Sequence, residues 1–126
     1  MKIQTVLVLL IAEFFLSCSG YEKVSFSREE LLRLDSIFSA GQIKGVNWAK
    51  SPRDFCLRQF PSMSNEGRSL YTLEEDSAGK NRRTIKVKED GALDDEVFGE
   101  QHKLEFELKE GVWRVTSYEV FLKRRH

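Results

Sequence analysis

Histidine and cysteine are scarce in this chain: its 126 residues hold two of each. A structural zinc site draws several such ligands together at close spacing, and with no C-x-x-C either, no metal or other cofactor is expected. Glycine-rich phosphate loops and the G-x-S-x-G nucleophile elbow are missing too, so nucleotide and acyl-transfer chemistry have no starting point. An excess of one charge is also lacking. Twenty Lys plus Arg balance twenty Asp plus Glu, which leaves no long-range field to draw the chain toward nucleic acid. The basic end Lys123, Arg124, Arg125 is too small a footprint to change that and reads as a solvated tail.

Long apolar runs are confined to the beginning. Lys2 precedes a mostly apolar stretch from Ile3 to Leu16, short of the roughly 20 residues that span a bilayer but within the 7 to 15 or so of a secretory h-region. The stretch ends in "FLSCS", residues 15–19, where the small Ser17 precedes Cys18. That stretch resembles the lipobox of bacterial lipoproteins. The resemblance implies a signal peptide over 1–17, lipidation of Cys18, a tether over 18–26, and a domain over 27–126. It also implies a location in the cell envelope, on the periplasmic or surface face of a bacterial membrane. Two or more acyl chains, as a lipoprotein cysteine carries, give stable anchoring where one gives marginal binding. The same residues allow an ordinary secreted chain cut near Ser19 or Gly20, or an uncleaved amino-terminal anchor. Cys56 is the sole intrachain disulfide partner for Cys18, and lipidation forbids that bridge. Flanked by Phe55 and Leu57, Cys56 is expected to be a small buried hydrophobe.

Beyond the leader the chain is long enough for one core. Residues 19–26 read as a polar spacer. "SREELLRLDSIF" then opens a helix, with Ser27 and Glu30 as a capping box and Leu31, Leu34, Ile37 and Phe38 as one apolar stripe. Gly41 is its expected stop. "SPRDFCLRQF" offers Ser51 as a second cap and Pro52 at the first helical position, for a short helix to about Phe60. Trp48 is expected to pack beneath it.

From residue 68 the pattern changes to alternating runs, with strands expected over 68–75, 82–89, 102–110 and 112–124. The last is apolar on both sides, as a central strand or a strand with a face-shifting bulge would be. Helices followed by a meander give an α+β fold: one or two amino-terminal helices packed on a four-stranded antiparallel sheet. The closing pair "LEFELKEGVWRVTSYEVFL" resembles the final hairpin of NTF2-like and cystatin-like folds, and the brevity of the helical part matches the smaller cystatin-like version.

Chemistry is thin. Asp90, Asp94, Asp95, Glu96 and Glu100 give a calcium-loop composition without EF-hand spacing, and a solvated acidic turn is expected there. His102 with Glu100 is the one pair suited to acid–base work, if a pocket opens beside it. The expectation is therefore a non-enzymatic, lipid-anchored binding domain with an unknown protein or small-ligand partner, and a cavity-bearing carrier or enzyme as the alternative. A solvent-open cavity lined by His102 and a carboxylate favours the alternative; a core filled by Leu34, Phe38, Leu104, Phe106 and Val115 favours the first.

Overall fold

A computed structural model describes residues 21–24, 28–62, 70–91 and 97–124. Cys18, Ser27, Asp94, Asp95, Glu96 and Arg125 lie outside those residues, so the lipidation site, the first cap and most of the acidic turn do too.

Helix α1 (Arg28–Lys44), a 3₁₀ turn (Asn47–Ala49) and helix α2 (Pro52–Gln59) precede the long strands β2 (Leu70–Ser77), β3 (Arg82–Asp90), β4 (Val97–Lys109) and β5 (Val112–Arg124). A two-residue strand β1 (Glu22–Lys23) comes before them all. Among the described residues the sheet therefore has five strands rather than four, ordered β1-β5-β4-β3-β2, all antiparallel. The extra strand comes from the expected spacer: Glu22 pairs with Leu122 and Lys23 with Phe121. Two polar residues carry no hydrophobic alternation by which such an edge strand could be read. Lys123 and Arg124, read both as the end of the last strand and as part of a solvated tail, belong to β5.

Helix α1 runs past its expected stop. Gly41 is buried within it, and a Cβ there would come within 2.7 Å of the Trp48 ring. The missing side chain thus serves close packing. The helix ends at Gly45, whose φ of 73° is left-handed. Val46 N–H donates to Gly41 C=O and Gly45 N–H to Gln42 C=O, the paired bonds of a Schellman cap. Glu30 is taken by Arg33 in an exposed ion pair. Helix α2 begins as expected, with Asp54 N–H donating to Ser51 Oγ over 3.1 Å and Pro52 at the first position. Trp48 lies 6.4 Å from Phe55, ring to ring.

Both helices cover one face of the sheet. Phe38 and Phe55 stack at 4.4 Å, and Phe106 meets both edge-on. Leu34, Ile85, Leu104 and Val115 complete a filled core around them. Cys56 is fully buried there as a free thiol, which agrees with its expected role.

The expected face shift is a bulge. Glu105 pairs with Ser117 but Phe106 pairs with Val115, leaving Thr116 as the extra residue. Val115 before the bulge and Tyr118 after it consequently both join the core, whereas Phe121 turns to the opposite face beside Gln101 and Lys23.

The outer edge of β5 is closed in two ways. Beyond the reach of β1, α1 supplies side chains: Gln42 accepts from Trp113 N–H and donates to Trp113 C=O, both at 2.8 Å, and so imitates a neighbouring strand. Asp35 accepts from Val115 N–H at 3.0 Å and from the Arg114 guanidinium. Edge groups that would otherwise template aggregation are thereby paired.

Candidate ligand cleft

Strand alternation puts Phe106, Leu104, His102 and Glu100 of β4 on the helix-covered face, beside Ile85, Val87 and Glu89 of β3. The helices cover only part of that row. Helix α2 ends at Gln59, and Phe60 closes it through its N–H to Cys56 C=O. Over His102 and Glu100 the roof is therefore missing. An open cleft of about 450 Å³ results, with Phe60, Pro61, Tyr71 and Val87 as apolar walls and Gln59, Ser62, Glu89, Glu100 and His102 as polar groups.

His102 is held on three sides. Its ring stacks on Phe60 at 4.2 Å, its Nε2 is 2.7 Å from Glu100 Oε1, and its Nδ1 is 2.8 Å from the Tyr118 hydroxyl. An ionised carboxylate only accepts, so the proton on that side is carried by Nε2, while Nδ1 shares its hydrogen bond with the Tyr118 hydroxyl. Burial, and after it the charges of Glu30 and Glu100, push the Tyr118 phenol well above its ordinary range. It remains a donor. Both nitrogens of His102 are thus engaged, and a proton exchanged with a ligand breaks one of these bonds.

The rim is tied as firmly. Tyr71 donates its hydroxyl to Phe60 C=O over 2.7 Å, and Ser62 donates to Glu89. Burial, followed by the nearby Cys56 and Glu89, raises the Tyr71 phenol. Glu89 itself is 5 % exposed, and a carboxylate so buried must be hydrogen-bonded. Glu100 faces Glu89 directly across the strands. A carboxylate has roughly four lone-pair positions, so Glu100 can hold His102 and still accept from a ligand.

Of the residues singled out from the sequence, the structure joins Glu100 and His102 at this cleft and draws Asp90 away from it, to the opposite sheet face and the Tyr21 hydroxyl. Cys56 is elsewhere, in the core, where burial and then the Glu75 charge push its thiol far above its ordinary range. No group of three or more His, Cys, Asp or Glu is arranged to hold a metal among the described residues. Phe60, Ser62, Tyr71, Glu89 and Tyr118 were not foreseen at the site. Glu89 had a signal, since it continues the alternation of Ile85 and Val87; the others depend on where α2 stops and how β5 bulges.

No protein-family profile matches the chain, and no curated protein or solved structure is detectably similar to it.

Proposed function

We propose that this chain is a lipid-anchored envelope protein whose domain is a non-enzymatic binding module, and that the cleft over His102 is its binding site. One observation carries the choice of site. The helix-side face is filled at one end by Phe38, Phe55 and Phe106 and left open at the other over a His–Glu pair. The filled core supports a rigid binding domain, while the cleft gives it a place for a small ligand. His102 acts as a positioner of Glu100, since both of its nitrogens are committed to neighbours; that favours binding over proton transfer.

The lining defines a ligand class. Aromatic walls at Phe60 and Tyr71 and an acceptor at Glu100 suit a compact molecule with an apolar body and an N–H-bearing, cationic end. The anchor reading rests on the apolar leader and Cys18; among the described residues no helix is long and apolar enough to cross a membrane. The overall plan, helices on one face of an antiparallel sheet, is consistent with a cystatin-like fold.

Ligand-detected NMR with phenethylamine and phenylacetate as opposed probes tests the site. Binding of the amine alone, lost in Glu100→Gln, is expected. Equal binding of both probes, or none, refutes the ligand class. Mass spectrometry of the mature chain against Cys18→Ser tests the anchor, with an unacylated amino terminus overturning it.

A further inference from the structure

Helix α1 carries two seams. One faces the core through Leu34, Phe38 and Gly41. The other is bare. Of the four large apolar side chains exposed among the described residues, two belong to α1, Leu32 at 53 % and Ile43 at 79 %. With Ser36 and Ser39 between them they follow one another in steps of four, three and four residues, which is the spacing of the a and d positions in a coiled-coil seam. At about 100° per residue, all four point within about 60° of one another and away from the core.

The strip can be covered at little cost. Ser39 donates its hydroxyl to Ser36 C=O over 3.3 Å, so burying it leaves no unpaired donor. Beside Ser39 and Ile43 an open groove of about 670 Å³ runs to Val112 and Arg114 of β5, leaving room for a side chain that overhangs the helix. The two ends of α1 carry opposite charge, with Glu29 in the first turn and Lys44 in the last. Neither is in an ion pair among the described residues, whereas neighbouring Glu30 is held by Arg33.

We propose that a second copy of this chain lays its own α1 antiparallel on this strip, making the protein a two-fold dimer. Steps of four, three and four read the same in either direction, so the strip is its own complement. Leu32 meets Ile43 of the second copy, Ser36 meets its Ser39, and each pair recurs across the axis, as a two-fold interface requires. The serines let the helix axes approach to about 8 Å. Charge selects the direction. An antiparallel copy brings Glu29 within a turn of the other copy's Lys44 and opposes the helix dipoles, whereas a parallel one sets Glu29 beside Glu29 and Lys44 beside Lys44.

The test uses the full chain in nonionic detergent. Leu32→Cys and Ile43→Cys chains are prepared separately and then oxidised mildly, alone and mixed. A disulfide-linked dimer is expected from the mixture and from neither variant alone, because like positions in the antiparallel pair stand roughly 16 Å apart along the axes, beyond disulfide reach. Mixtures with Arg53→Cys, on α2, set the level of chance collision, and the wild-type chain, with Cys56 buried, controls for its own thiols. Ser36→Glu, at an exposed position, should reduce linking to the chance level when placed in both chains. Sedimentation of the chain without added cysteines should show a mass that rises with concentration, and Ser36→Glu should abolish that rise.

Linking at the chance level together with a mass independent of concentration overturns the proposal. So does efficient linking of either variant alone, which requires a parallel or non-specific contact. A position-43 thiol linked within its own chain to Cys18, or to a different protein, overturns it as well, the result if the leader or another partner occupies the strip. No α1 residue lines the ligand cleft, so each of these failures leaves the reading of the cleft standing.

Discussion

The helix-side face of the sheet has two ends built by the same strands with the same alternation. At one, Leu104 and Phe106 meet Phe38 and Phe55 and nothing is left open; at the other, His102 and Glu100 meet Phe60, Tyr118 and the rim of a cleft. The β3–β4 register is continuous across both. What differs is the cover: α1 and α2 lie over the first end, and α2 stops at Gln59 before reaching the second. Strand pattern therefore chooses the face, and helix length chooses which part of that face is core and which is site.

The largest effect that would sharpen this contrast is expected in the filled end. Phe38→Ala removes the ring that stacks on Phe55 and should cost about 3–5 kcal/mol by urea denaturation. An intact cleft fold at that cost would show that the two ends are separable.

Next comes the tie between α1 and the β5 edge. Asp35→Ala strips the acceptor from Val115 N–H and from Arg114, with an expected loss of about 2–3 kcal/mol. The wild-type tie should also be acid-sensitive. Burial raises the Asp35 carboxyl, but the Arg114 and Val115 hydrogen bonds and the Arg114 charge outweigh it and hold it below its ordinary 3.8. A depressed carboxylate contributes its full stability above the unfolded-state value and loses it as pH falls through the folded-state value. The urea midpoint should thus fall below about pH 4, and that part of the slope should be missing in Asp35→Asn.

Smaller still is the cap that aims α2. Ser51→Ala should cost about 1 kcal/mol, seen as a modest fall in midpoint. A much larger fall would mean that α2 holds the cleft rim as well as the core.

At the open end, Glu100→Gln should change stability by well under 1 kcal/mol, within the usual range for partly exposed sites, while removing amine binding. The contrast fails if this variant proves as destabilising as Phe38→Ala. Labelling of Cys56 by a thiol reagent supplies a probe of the closed end: with the thiol buried and its ionisation suppressed, reaction should follow unfolding. Rapid labelling of the native chain would mean that the packed end opens.

Much of this architecture is readable from residue order. The stripe Leu31, Leu34, Ile37, Phe38, the Ser51–Pro52 helix start, the strand alternation and the bulge in β5 are local patterns whose physics lies within a few neighbours, and each matches the observed elements. Burial of Cys56 follows from its apolar neighbours in the same way. Gly41 misled because a buried glycine and a helix-ending glycine look alike until Trp48 is seen against it. Likewise β1 has no pattern of its own, being held by partners a hundred residues away in the chain.

Residue types and spacing alone settled the α+β class and the faces of the long strands and singled out Glu100 and His102 as a pair, because those depend on backbone period and local chemistry. Only the three-dimensional packing decided that α2 ends short of His102, that Phe60 and Tyr118 hold its ring, and that Tyr21 reaches Asp90 across two strands. These are contacts between distant segments, and no local preference encodes the distance between them.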